Sequence, residues 1–312
     1  MDMCSHNRNI TANDIVAAMK TLYAVDTSTA CAYRARNRLL ASTYGSPEDS
    51  YIDLPAYLDE LEDRNPGSEI NLEDDDGVFQ RSSIELKPRF EALRHCRKVI
   101  SVDGTHLFSK YRGILLTATT LDADGHLYPL CYSVVSVENT SNWKYFFTHL
   151  KKCMQCVEVP LDEVIFLSDR QKGLLSSISE IFGNNQPHGY CVRHLVANCL
   201  RNFRKRGLMK LIWQAAGSTT VEDFLIVTQK IRILSRQAHD MLMDIKEHWT
   251  LCHFPCCRYG HLTSNISESF NSVIRETEGA PLIPLLESIR EKMRDWQEKY
   301  AKASRQVNPQ WS

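Results

Sequence analysis

From residue 97 onward the chain alternates between short apolar runs and polar breaks at a spacing that predicts strands. The runs at 98–103 (KVISVD), 113–121 (GILLTATTL) and 127–137 (LYPLCYSVVSV) read as three antiparallel strands. A hairpin around 108–112 joins the first two, and Asp122-Ala123-Asp124-Gly125 is a turn sequence between the next pair. Spacing then turns helical over 141–156, with Thr140 or Ser141 as its cap. Val164-Ile165-Phe166-Leu167 reads as a fourth strand, 172–182 as a helix, and 188–192 as a short fifth strand.

Three antiparallel strands, a helix, a strand, a helix and a strand make the ribonuclease-H-like order. That is an α/β fold whose mixed sheet is flanked by helices. Residues 194–250 carry helical spacing without a strand pattern, which predicts an all-helical insertion before two last helices at 265–277 and 283–303. Ahead of the sheet, 11–24 reads as a helix capped by Thr11 or Asn13. After Val25-Asp26-Thr27-Ser28 comes a second helix with Arg34, Arg36 and Arg38. The outline is helix-turn-helix-like, and equally that of a plain helical hairpin. A short amphipathic helix at 53–64 runs into an acidic stretch, 59–76, whose Asn65-Pro66-Gly67 predicts a loop or linker. The expected division is therefore 1–95 (N-terminal helices and acidic linker), 96–193 (first part of the core), 194–262 (helical insertion) and 263–312 (helices completing the core). No internal repeat is visible.

Composition is that of a globular protein with a sizeable core, 43% hydrophobic and 24% charged. No apolar run reaches the length of a membrane span, and MDMCSHNRNI lacks the apolar core of a signal peptide. The 11 cysteines are scattered, which suits reduced thiols in a nuclear or cytosolic protein rather than a disulfide framework. Net charge is −1, so the chain as a whole is not a basic nucleic-acid binder. Its distribution changes that picture. Between Glu180 and Glu222 there is no acid, while Arg193, Arg201, Arg204, Lys205, Arg206 and Lys210 all lie there. Such a local positive field suits phosphates, although a solvated helix face has the same composition.

Asp103 and Asp169 each follow an apolar strand into a polar turn. In the expected sheet the first and fourth strands are neighbours, so the two acids stand side by side. Paired carboxylates repel unless a cation joins them, and hard divalent ions with oxygen ligands, Mg²⁺ or Mn²⁺, meet that need. A third acid would complete a two-metal site; Glu268, Glu276 and Glu278 are equal in composition. Cys191 and His194 form a CxxH pair after the fifth strand. Two ligands are too few for a closed zinc site, so zinc is possible but not expected, and packing or DNA positioning is the favoured role. The lone Cys153–Cys156 pair reads as packed thiols, and Trp143 as core rather than a base-stacking platform.

Six stretches, in this order, resemble the Mutator-like element (MULE) transposases: VDGTHL (102–107), KYRGILLTATTLDADGHLYPL (110–130), ENTSNWKYFFTHL (138–150), SDRQKGL (168–174), YCVRHL (190–195) and TSNISESFN (263–271). Upstream, AYRARNRLL (32–40), YIDLPAYLDELEDRNPGSE (51–69) and Phe79 resemble the region these proteins carry before their core. The resemblance implies the acidic triad Asp103, Asp169 and Glu268, with the longer interval before the last acid. It implies cut-and-paste transposition: binding of terminal inverted repeats, metal-dependent hydrolysis at the element's ends and joining of 3′ ends to target DNA. Expected partners are double-stranded DNA and further copies of the chain assembled on it, in the nucleus, with no membrane. No GxxxxGK[ST] motif is present, so no nucleotide cofactor is expected. Relatives of full length carry a zinc-binding DNA-recognition domain before this region and a SWIM-type CCHC knuckle after it. Neither precedes the helical pair or follows Trp311-Ser312, as in a fragment, a decayed element or a host-adopted gene. The rival readings are a transposase-derived DNA-binding or transcription-regulating protein without catalysis, and a plain ribonuclease-H-like nuclease.

Overall fold

The structure, a computed structural model, describes residues 12–307. The expectations for an N-terminus without a leader, for a Thr11 cap and for the end at Trp311-Ser312 lie outside those residues. Four helices come first: α1 (Ala12–Tyr23), α2 (Thr29–Tyr44), α3 (Pro47–Ile52) and α4 (Leu54–Arg64). Then follow β1 (Glu69–Asp75), β2 (Val78–Glu85), α5 (Lys87–Leu93), β3 (Val99–His106), β4 (Ile114–Leu121), β5 (Leu127–Val135), α6 (Thr140–Cys156), β6 (Ile165–Ser168), α7 (Lys172–Phe182) and β7 (His188–Tyr190). The rest is helical: α8 (Val192–Phe203), α9 (Leu208–Ala216), α10 (Val221–Leu234), α11 (Arg236–Met243), α12 (Lys246–Trp249), α13 (Asn265–Ile274) and α14 (Leu282–Val307).

The strands form one mixed seven-stranded sheet in the order β1-β2-β5-β4-β3-β6-β7. Pairing is antiparallel from β1 through β2 and β5 to β4, and parallel from β3 through β6 to β7. The first and fourth strands of the expected core, β3 and β6, are indeed neighbours, with Val99 opposite Ile165 and Ser101 opposite Leu167. Apolar side chains cover both faces. Ile100, Val102 and Phe166 join the core beneath α5, α6 and α7, whereas Val99, Ile165 and Leu167 pack with Phe254 and Ile266 on the other side. Burial on both faces is why these strands read as continuous apolar runs rather than an alternation. A separate core gathers Leu195, Cys199, Ile212, Phe224, Ile231, Leu242 and Trp249 from α8 to α12.

Several boundaries differ from expectation. Part of the acidic stretch read as a linker is strand: 69–85 is an edge hairpin, turning at Asp76-Gly77 with positive φ at both residues. Two of its acids are ion-paired, Glu73 with Arg81 of the same hairpin at 2.6 Å and Glu69 with Lys152 of α6 at 2.5 Å. Charge on an edge strand blocks edge-to-edge pairing, and it also hides the strand from a hydrophobic pattern. Asn139, not Thr140 or Ser141, caps α6, accepting from Asn142 N at 2.9 Å. β3 continues to His106, three residues past the strand end expected at Asp103.

The chain also divides differently. One compact unit holds residues 64–105 and 114–270; the other holds residues up to Asp63, His106–Gly113 and residues from Asn271 onward. The final helix α14 thus belongs with the N-terminal helices instead of completing the sheet domain. Ser50 Oγ accepts from Ile283 N at 2.7 Å, and Tyr57 donates to Glu287 at 2.8 Å. Leu54, Leu58, Leu61, Leu285, Leu286 and Ile289 are buried there. Among the described residues no helix is long and apolar enough to cross a membrane.

Candidate functional site

Strand alternation decides which way the acids face. Residues two apart share a side of the sheet, so Ser101 and Asp103 follow Val99, and Asp169 follows Leu167 and Ile165. That side is covered by Ile266 of α13. The β3–β6 register, continued two residues, sets Asp103 opposite Asp169. Their fields meet: burial first, then the Asp169 carboxylate, push Asp103 up to about 7, against a hydrogen bond from Gly104 N. Asp169 itself accepts from Gln171 N at 3.0 Å, which fixes the turn into α7.

α13 is tied to the same strand. Ser101 Oγ and Ser267 Oγ lie 2.7 Å apart, and Ser267 donates to Ser264 O at 3.1 Å. Glu268, next along the chain, sits in the first turn of α13, where the helix dipole favours an acid. Ser264 Oγ donates to its carboxylate at 3.3 Å, and Arg193 forms an ion pair with it. Arg193 also donates to Asn265 at 2.5 Å.

Cys191 and His194 open α8 immediately after β7. The Cys191 amide donates to Ser168 O at 2.8 Å, one residue before Asp169. Donor atoms of Cys191, His194 and Glu268 all lie within 4.8 Å of one another. Burial raises the Cys191 thiol, but hydrogen bonds with His194 and Ser264 outweigh it and bring it down to about 6. His194 is raised in turn, chiefly by Cys191, with Asp169 and Asp103 also contributing. The imidazole thus stands in the fields of both aspartates while touching the cluster that holds Glu268.

The other residues singled out in the sequence fall elsewhere. Trp143 is fully buried, stacked on Phe147 at 5.5 Å, and donates its indole N–H to Glu138 at 3.2 Å. Arg201, Arg204, Lys205, Arg206 and Lys210 are exposed at the end of α8, in the turn after it and on α9, and form no ion pair among the described residues. Arg193, grouped with them by charge, is committed to Glu268 instead. Glu278, an alternative third acid, lies in the other unit, its carbonyl bonded to Phe108 N at 2.8 Å; the side chain of Glu276 lies outside the described part.

Two participants were not picked out from the sequence. Glu138 reaches Gly104, where a Cβ would stand 3.4 Å from its carboxyl carbon, and it contributes to raising Asp103. Its only signal was its place in ENTSNW, beside the tryptophan that holds it. Ser101, hidden as a polar residue inside an apolar run, was the other.

Two carboxylates at the ends of neighbouring strands, one raised by burial and then by the other, are oxygen donors of the kind a hard divalent cation takes. Comparison with curated proteins returns no match. Residues 99–198, from the start of β3 into α8, match the family model for the MULE transposase domain, and the chain carries a domain of that family over this span, with Asp103, Asp169, Cys191 and His194 inside it and Glu268 beyond it.

Proposed function

We propose that this chain is a DDE-type transposase core that cuts and joins DNA with a ribonuclease-H-like sheet and an all-helical insertion formed by α8 to α12. The observation that carries the reading is the parallel pairing of β3 with β6, whose register continued two residues sets Asp103 opposite Asp169, with Asp103 raised to about 7. Asp103, Asp169 and Glu268 are the residues that would hold Mg²⁺ or Mn²⁺. Bound ions would supply activation of water or a 3′ hydroxyl and stabilisation of the leaving oxygen.

The protein's own part is positioning. β3 and β6 hold the aspartates rigidly because both strands are buried on both faces. The Ser101–Ser267 bond keeps the start of α13, and so Glu268, on the same face. Arg193 neutralises Glu268 and orients it through Asn265. The exposed cations from Arg201 to Lys210 supply phosphate contacts that hold DNA without reading its sequence. Terminal inverted repeats and target DNA are the proposed substrates, copies of this chain the proposed partners on DNA, and the nucleus the proposed compartment.

The test is strand cleavage of a duplex bearing the element's end, with Mn²⁺, by wild type and Asp103→Asn. Asparagine keeps size and polarity but removes the charge that holds a cation. Wild-type cleavage that falls by about 10² or more in the variant supports the reading, in line with losses on removing transition-state electrostatics. Equal cleavage by both proteins would overturn it.

A further inference from the structure

The CxxH pair has two ligands by sequence, and the fold brings a third. Cys191 at the cap of α8 and His194 one turn on share a helix face, and α13 presents Glu268 to them. Sulfur, imidazole nitrogen and carboxylate oxygen lie within 4.8 Å of one another. Donors around a tetrahedral zinc-class ion, at about 2.0–2.3 Å from it, stand about 3.3–3.8 Å apart. The cluster therefore needs to contract by about one ångström, within the reach of side-chain rotation at the positions that are not fully buried, His194 and Glu268. His194 Nδ1 is, in addition, buried with no hydrogen-bond partner among the described residues. Buried polar atoms are rarely left so.

We infer that Cys191, His194 and Glu268 form a site for a borderline divalent cation of the zinc class, beside the aspartate pair and separate from it in ligand chemistry. Thiolate and imidazole select such ions over Mg²⁺, whereas Asp103 and Asp169 offer only hard oxygen. Three protein donors leave a fourth position open, the arrangement of a catalytic rather than a closed structural zinc site. Glu268 is common to this site and to the proposed phosphodiester chemistry, so a zinc-class ion here would draw that carboxylate toward α8. Zn²⁺ and Mg²⁺ would then compete for one residue. Arg193, whose guanidinium now neutralises Glu268, is the competitor that any such ion must displace.

Titration of the whole chain with Co²⁺ tests this without DNA. Expected is a thiolate-to-cobalt charge-transfer band saturating at one equivalent and displaced by Zn²⁺. It should vanish in Cys191→Ser. In Glu268→Gln the band should persist with affinity at least about tenfold weaker, since even outer-shell partners of a ligand are worth about 10–100-fold. Arg193→Ala should bind as tightly as wild type or tighter. No band in the wild type, or an unchanged band in Cys191→Ser, would assign any cobalt to other cysteines and overturn the site. Should Cys191→Ser fail to fold by circular dichroism, His194→Asn leaves every thiol in place, and an unaltered band and affinity in that variant would equally overturn it. Asp103→Asn separates the two readings. It should keep the band while losing DNA cleavage, whereas a band without DNA cleavage in the wild type counts against the proposed transposase chemistry alone.

Discussion

Ser101 on β3 and Ser267 on α13, 166 residues apart in sequence, are both fully buried and share a hydrogen bond of 2.7 Å. Ser101 lies two residues before Asp103 and on its face of the sheet, and Ser267 immediately precedes Glu268. This bond is the point at which a late helix is registered against the strand that carries the first acid. Ser101→Ala and Ser267→Ala should each cost about 1 kcal/mol, the usual net worth of such a bond. Denaturant melts of the double variant should show no more loss than either single one, because the two side chains act as one pair. Additive losses would mean that they act independently.

Gly189 in β7 has no room for a side chain. A Cβ there would stand 2.6 Å from Leu167 Cδ2 and 2.9 Å from Arg258 Nη2. Arg258 cannot retreat freely: it is 2% exposed and donates to the carbonyls of His261, His248 and Tyr190. Gly189→Ala should destabilise by about 3 kcal/mol, at the upper end of overpacking costs. At Gly104 the nearest atoms would be 3.3 Å away and belong to side chains, so Gly104→Ala should cost less. Thermal melts that rank the two in the opposite order would contradict this packing.

The exposed cations after the CxxH motif predict a salt effect. Reversing Arg201, Arg204 and Arg206 to glutamate should weaken binding to any duplex. The slope of log affinity against log salt should flatten by about 0.9 for each phosphate contact removed. Fluorescence anisotropy at several salt concentrations measures both. An unchanged slope would leave this face to solvent.

Glu85 offers a pH test at an acid outside the site. It is fully buried, bonded on one oxygen to Ser83 at 2.5 Å, and its other oxygen has no partner among the described residues. Burial, above all, holds its pKa well above the ordinary carboxylate value. A raised folded-state pKa contributes stability that is complete below the unfolded value and lost as pH rises toward the folded one. Glu85→Gln removes that loss. The variant's melting temperature should therefore gain on the wild type as pH rises from about 5 to 8. A difference independent of pH would mean that Glu85 is ionised in the fold.

What the sequence by itself determined is the part written in local pattern. Apolar runs marked β3, β4, β5 and β6 because β4 and β6 are buried throughout and β3 and β5 are buried over their apolar runs, and helical spacing marked α6, α7 and the helices from α8 on. Asp103 and Asp169 stood out for the same reason: a charge directly after a buried run needs an explanation. Tertiary structure alone decided the rest. The hairpin 69–85 is placed by its ladder with β5, and its acidic edge strand carries little hydrophobic signal. The return of α14 to the N-terminal helices rests on bonds such as Ser50 with Ile283, across 233 residues, which no local window contains. The same holds for the meeting of Glu268 with Cys191, His194 and Arg193. One residue type at one spacing can announce a ligand, but which ligands share an ion depends on where separate helices end. That is set by the packing of the faces they bury.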